Sequence, residues 1–156
     1  MKNLGLTNSN KLAFVDDEDF LVCKKFNWCL CDKTILTTQL MSMKNIPLAS
    51  FIMGNFKQMY DHKDRNSFNN QKVNLRSCTY SQNNANRSKM EGTSSKYRGV
   101  SFYKPSQKWR TQIEYNDKGL HLGYFVFEAE AARAYDKKAK ELFGEFANLN
   151  FKEVKL

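Results

Sequence analysis

The chain has 156 residues and only four cysteines, Cys23, Cys29, Cys31 and Cys78, none in C-x-x-C spacing. A zinc knuckle therefore has no ligand pattern to build on. The thiols read as reduced, with Cys23 and Cys78 packing as small apolar residues. No apolar run reaches membrane-spanning length, and "MKNLGLTNSNK" lacks the apolar core of a secretory signal, so no membrane partner is expected. No internal repeat is visible. Histidine is scarce as well: of the two, His121 has no neighbouring cluster of ligand residues, whereas His62 follows Asp61 in an unusual setting.

What is abundant is positive charge and asparagine. Lys+Arg 25 against Asp+Glu 16 gives +9 and a pI near 9.4, the balance of a polyanion binder. Residues 1–56 carry a net +1, residues 57–90 a net +5 and residues 91–156 a net +3. The densest excess thus surrounds His62. Seven asparagines (66, 69, 70, 74, 83, 84 and 86) fall in the same region.

The polar stretch "RSKMEGTSSK" (87–96) is suited to a linker. Upstream, "KLAFVDDEDFLVCKKFNWCLC" reads as a strand, an acidic turn over Asp16 to Asp19, an apolar segment and a Trp-bearing strand. "IPLASFIMGNF" is a short helix or strand, "QKVNLRSCT" a strand, and "TYSQNNANRSKM" a helix capped by Thr79 or Ser81. Downstream, "YRGVSFYK", "KWRTQIEYN" and "GLHLGYFV" are three short strands separated by the turns "PSQ" and "NDKG". Alternation puts Trp109, Thr111 and Ile113 on one face, with Arg110, Gln112 and Glu114 on the other. "EAEAARAYDKKAKELFG" is a helix with Ala132, Tyr135, Ala139, Leu142 and Phe143 along one side, ended by Gly144. Of the aromatics Phe102, Trp109, Tyr124, Phe125 and Phe127, most are assigned to the core.

On an extended strand the side chains of Asp61 and His62 point to opposite faces, so each can do a different job. Asp61 offers the hard carboxylate oxygen that suits Mg²⁺, and an asparagine carbonyl is eligible as a second ligand. A histidine ring, with an ordinary pKa of about 6.5, can take a proton from water near neutral pH. A base beside a hard cation points to metal-assisted phosphodiester hydrolysis.

The stretch "DHKDRNSFNNQKVNLRSCTYSQN" resembles the HNH nucleases, particularly the phage and intron-associated homing endonucleases. It has D-H, then twelve residues from His62 to Asn74 in "NLR", then nine more to Asn83. With the lead-in "FVDDEDF…FNW", the similarity spans roughly residues 10–90. The resemblance implies a ββα-metal core in which His62 is the general base and Asn74 orients it or braces the loop. Asp61 and Asn83 would hold Mg²⁺ or Mn²⁺. The chain departs from the usual pattern at Asn69-Asn70, where an Asp-Asn pair is common, and at Ala49-Ser50, where a His-Arg is common.

Residues 96–151 resemble the Apetala/ethylene-response-factor type of DNA-binding domain, through Y-R-G-V, K-W, L-G-x-F, E-A-A-x-A-Y-D and N-F. That resemblance implies that the sheet meets the major groove of double-stranded DNA. The matching outward positions are Arg98, Ser101, Tyr103, Arg110, Gln112, Glu114 and His121. Lys104 and Lys108 suit phosphates, and Arg76 and Arg87 add basic contacts from the first region. Plant members carry arginines where this chain has Ser101, Tyr103 and Glu114, so their sequence preference does not transfer.

The expectation is therefore an α+β protein. A ββα-metal nuclease core (1–88) and a linker (89–95) precede a three-stranded sheet with one packed helix (96–152). It would be a site-specific DNA endonuclease, a monomer in the host cytoplasm or nucleoid, with no small-molecule substrate. The rivals are a DNA-binding protein or regulator that does not cut, and a binder of single-stranded RNA using exposed aromatics.

Overall fold

In a computed structural model that describes residues 1–37, 45–89 and 92–152, the chain is mixed α+β with several small antiparallel sheets. Residues 90 and 91 of the expected linker lie outside the described residues. Contacts divide the chain into two units, Met1–Thr79 and Tyr80–Leu156. The helix bearing Asn83 thus groups with the second unit, upstream of the linker that composition suggests.

The first unit opens with a hairpin, β1 (Lys2–Leu6) against β2 (Ser9–Val15). The acidic stretch expected as a turn instead begins helix α1 (Asp17–Cys23). Asp17, Glu18 and Asp19 fill its first turn, where the helix dipole favours negative charge. Trp28 is completely buried and its Nε1 donates to the Cys23 carbonyl at 2.8 Å, joining the end of α1 to the core. Strands β3 (Cys29–Cys31), β4 (Thr34–Thr37) and β5 (Ile46–Pro47) form a small sheet, followed by helix α2 (Leu48–Ile52). Leu4, Leu6, Ala13, Val15, Cys23, Trp28, Ile35 and Leu48 make one core, with Phe51 edge-on to Trp28 at 5.3 Å. Burying side chains of this size stabilises by roughly 1.5–3 kcal/mol each before chain entropy is counted.

On this core sits an antiparallel pair, β6 (Met59–His62) and β7 (Leu75–Cys78). The first half of "QKVNLRSCT" winds into a 3-10 turn (Lys72–Asn74) rather than strand, because the Asn74 N–H bonds back to the Gln71 carbonyl at 2.9 Å. The lead-in has a mechanical role. Phe14 exchanges main-chain bonds with the loop (Phe14 N to Phe68 O and Asn70 N to Phe14 O, both 2.7 Å). Asp16 accepts from Gln71 Nε2 and from the Lys72 N–H, each at 2.9 Å. The Gln71 bond does most to hold the Asp16 carboxyl below its ordinary pKa.

The second unit begins with helix α3 (Tyr80–Asn86). Strands β8 (Val100–Tyr103), β9 (Lys108–Tyr115) and β10 (Lys118–Phe125) form an antiparallel sheet in the order β10-β9-β8. Asn116 and Asp117 both take positive φ between β9 and β10, the two-residue geometry that matches strand twist. Helix α4 (Glu128–Phe143) lays Ala131, Ala132, Tyr135, Ala139 and Phe143 inward. Small alanines allow the close approach. Thr111, fully buried, donates to the Ala131 carbonyl at 3.1 Å and ties the sheet to the helix.

Candidate functional site

The β6–β7 register sets Asp61 opposite Arg76 and His62 opposite Leu75. Asp61 is 5% exposed, and Arg76 donates to its Oδ2 from Nε (3.0 Å) and Nη2 (2.9 Å). Removing a carboxylate from water is costly unless it is paired, and this guanidinium supplies the pair. Arg76, expected to meet DNA, is thus engaged with the carboxylate expected to hold metal.

His62 emerges half-buried at the end of β6, and its Nε2 lies 3.1 Å from Asn70 Oδ1. Asn70 is 1% exposed and donates Nδ2 to the Ser67 carbonyl at 2.9 Å. That second bond sets which end of the amide faces the imidazole. The oxygen does, so the contact is one that a protonated ring nitrogen makes by donating to Asn70 Oδ1. Of the Asn69-Asn70 pair, Asn69 is the departure noted in the sequence, and Asn70, which keeps the usual asparagine, is the residue that orients His62.

Asn74 has a different task. Its Nδ2 donates to Asp64 Oδ1 (2.9 Å) and to the Asn69 carbonyl (2.7 Å), and its Oδ1 accepts from the Asp64 N–H (3.1 Å). Of the two roles raised for it, bracing the loop is the one these bonds describe. Asp64 is the hub: it also accepts from the Asn66 N–H and from Asn69 Nδ2, both at 2.8 Å. Burial pushes the Asp64 pKa up, but the three asparagine donors together bring it below the ordinary value. The asparagines around His62 are thus largely the fastenings of one loop. Sequence reasoning missed Asp64 and Asn70; the signal available was their place between a D-H pair and an N-L-R strand.

Asn83 lies half-buried on α3, in the second unit. Among the described residues, no three His, Cys, Asp or Glu side chains gather as a metal cage. No described helix is long and apolar enough to cross a membrane.

On the second unit's sheet, the burial alternation matches the sequence reading. Thr111 and Ile113 are buried, while Gln112, Glu114 and His121 are exposed. Ser101, Tyr103 and Arg110 are half-buried on the outer face, with Lys104 and Lys108 exposed near the turn. Tyr124 belongs to this face too. Its ring is 5.3 Å from Tyr103 and 4.7 Å from His121, and the Arg110 guanidinium lies 5.9 Å from the Tyr103 ring. The outer face is thus a connected aromatic and cationic surface rather than scattered side chains. Trp109 and Phe125 pack against the helix side, whereas Phe127 is 65% exposed and outside any core. Arg98 is not in the outward row; its guanidinium turns into its own unit. Arg87 is exposed at the end of α3.

Residues 95–145 match the AP2 domain model. The chain is 43% identical over 58 residues (37% of its length) to an AP2-like ethylene-responsive transcription factor of Arabidopsis thaliana, covering 12% of that protein. It is 43% identical over 63 residues to an AP2/ERF and B3 domain-containing transcription factor of the same plant, covering 18% of it. It is 37% identical over 90 residues, 58% of its own length, to an uncharacterized HNH endonuclease of Acanthamoeba polyphaga mimivirus, covering 46% of that protein. The chain therefore spans less than half of each of these relatives, and no solved structure matches it. What this protein carries is an AP2 domain, a DNA-binding module, at residues 95–145, in a chain more than half of which is similar to a viral HNH endonuclease.

Proposed function

We propose that this protein is a site-specific DNA endonuclease of the HNH homing type, whose ββα-metal region cuts phosphodiester bonds and whose AP2 domain selects the duplex. The observation that carries the reading is His62, set on the end of β6 beside buried Asp61 and oriented by an almost fully buried asparagine. A solvated surface pair has no need of a dedicated orienting residue, whereas a general base does.

The donor set fits Mg²⁺ or Mn²⁺: a hard carboxylate and an asparagine carbonyl, with phosphate oxygens and water left to complete the shell. Asp61 would hold the ion, with Asn83 as the second ligand on the strength of its spacing in the sequence. Such an ion, when bound, supplies charge neutralisation at the scissile phosphate and leaving oxygen. His62 takes the proton from the attacking water, its ring held in orientation by the Asn70 contact. Arg76 holds the Asp61 carboxylate in place through its Nε and Nη2. The outer face of the β8–β10 sheet supplies register and salt-dependent affinity. Tethering such a reader to the cutting region raises its effective concentration at the target. A monomer with one copy of the motif nicks one strand.

The test is relaxation of supercoiled plasmid carrying the preferred site, with Mg²⁺ or Mn²⁺, by wild type, His62→Ala and Asn70→Ala, with duplex binding measured on each. Relaxation by wild type, lost in His62→Ala and lowered about 10- to 100-fold in Asn70→Ala at equal binding, is the expected result. A second reading, a DNA-binding regulator that does not cut, is favoured by the engagement of Asp61 Oδ2 by Arg76 and by the transcription-factor relatives. Tight binding with no relaxation by wild type would select it.

A further inference from the structure

Helix α3 has seven residues, too few to persist in water unaided. The last carbonyls of any helix also lack intrahelical donors. In α3 and the residue that follows it, three of these are met from within the same unit. Arg98 Nη2 donates to the Asn84 carbonyl at 2.6 Å, and Arg98 Nη1 donates to the Arg87 carbonyl. Asn148 donates its main-chain N–H to the Ala85 carbonyl (3.2 Å) and its Nδ2 to the Arg87 carbonyl (3.0 Å).

Arg98 is itself fixed from below. Its Nε donates to the Tyr135 hydroxyl at 2.7 Å, and its main-chain N–H to Asn150 Oδ1 at 2.7 Å. A planar fork of five donors suits several carbonyls at once, and a cation at the carbonyl end of a helix meets the negative pole of its dipole. Ala85 and Asn86 are buried beside these contacts, so α3 is seated as well as capped.

We propose that Arg98 is a positioning residue: it clamps the carbonyl end of α3 onto the AP2 module, so that the module reading DNA also holds the helix that bears Asn83. The clamp stands on its own contacts. Its consequence for catalysis, that the order of α3 sets the placement of Asn83, rests on the nuclease reading above. The family resemblance gives this arginine to DNA, and the geometry adds a contact to the protein. A break in the chain at the 89–95 linker would then leave α3 without its cap.

The test uses the full chain as wild type, Arg98→Ala, Arg98→Lys and Asn148→Ala. Native-state amide exchange is read over residues 80–89, with β9 and β10 as internal reference, and duplex binding is measured on the same samples. Exchange in α3 should quicken about tenfold or more in Arg98→Ala and by less in Asn148→Ala, with β9 and β10 unchanged and the duplex affinity of Asn148→Ala within about threefold of wild type. Should Arg98→Ala loosen the whole module, Arg98→Lys and Asn148→Ala carry the same local readout. Unchanged α3 exchange in Arg98→Ala overturns the proposal, whatever its duplex affinity. Where wild type cuts, the Mg²⁺ concentration for half-maximal cleavage should rise in Arg98→Ala, and an unchanged one refutes the link to Asn83. Wild type that binds without cutting ends the nuclease reading, and α3 exchange still decides the clamp.

Discussion

Substituting Gly99 by alanine tests the packing on which the second unit depends. Gly99 has φ of +73°, and a Cβ built there would lie 2.0 Å from Tyr135 Cδ2, 2.2 Å from Tyr135 Cε2 and 2.8 Å from the Gln112 carbonyl oxygen. Ordinary carbon contacts are about 3.5–4.0 Å, so the ring would have to retreat by roughly 1.5 Å. It has little room, being 4% exposed with its hydroxyl bonded to Arg98. The left-handed backbone costs alanine about 1 kcal/mol and overpacking about 1–3 kcal/mol more, giving about 2–4 kcal/mol. For a unit of this size each kcal/mol moves the melting point by about 4–8 °C, so Gly99→Ala should lower it by at least about 8 °C. Thermal melts followed at β9 and β10 amide signals measure this directly. Pairing it with Tyr135→Ala should cost less than the two single changes added, because the clash is gone. A Gly99→Ala protein melting within about 2 °C of wild type would refute the argument.

Two further outcomes follow from the first unit. Burial pushes the Cys23 thiol up to about 12, with Asp19 adding to the effect, and the Cys78 thiol up to about 11, while Cys29 and Cys31 are exposed. Brief alkylation of the native protein at pH 8 should therefore label Cys29 and Cys31 and spare the other two, and mass spectrometry showing early label on Cys23 or Cys78 would contradict their burial. The Asp64 carboxyl has its pKa lowered in the folded state, so its stabilisation is complete above the unfolded value near 4 and is lost as pH falls through the folded value. Urea midpoints of the first unit should thus decline through that acid range, and less steeply in Asp64→Asn; an equal decline in both proteins would count against Asp64 as the hub.

The C-terminal half was legible because its signals are local. Strict alternation separated Thr111 and Ile113 from Gln112 and Glu114, and the alanine spacing named the buried side of α4. The Asn-Asp turn declared its own backbone. The N-terminal half was less legible, since the same acidic run can make a turn or open a helix, and only packing of Cys23 and Trp28 chooses. Aromatic burial was over-assigned for the same reason: Phe102, Tyr124 and Phe127, three of the five aromatics assigned mostly to the core, are exposed.

The sequence by itself determined the small antiparallel elements, the excess of positive charge around residue 62 and the pairing of a scarce histidine with an aspartate. Period, turn chemistry and composition are properties of neighbouring residues, so they can be read along the chain. Only the tertiary structure decided which asparagine orients His62, that Arg76 engages Asp61, that Asp64 gathers the loop, and that Arg98 turns inward to hold α3. Those are contacts between residues 8 to 15 positions apart. Long polar side chains have many partners of equal chemistry within reach, and the folded backbone alone selects among them.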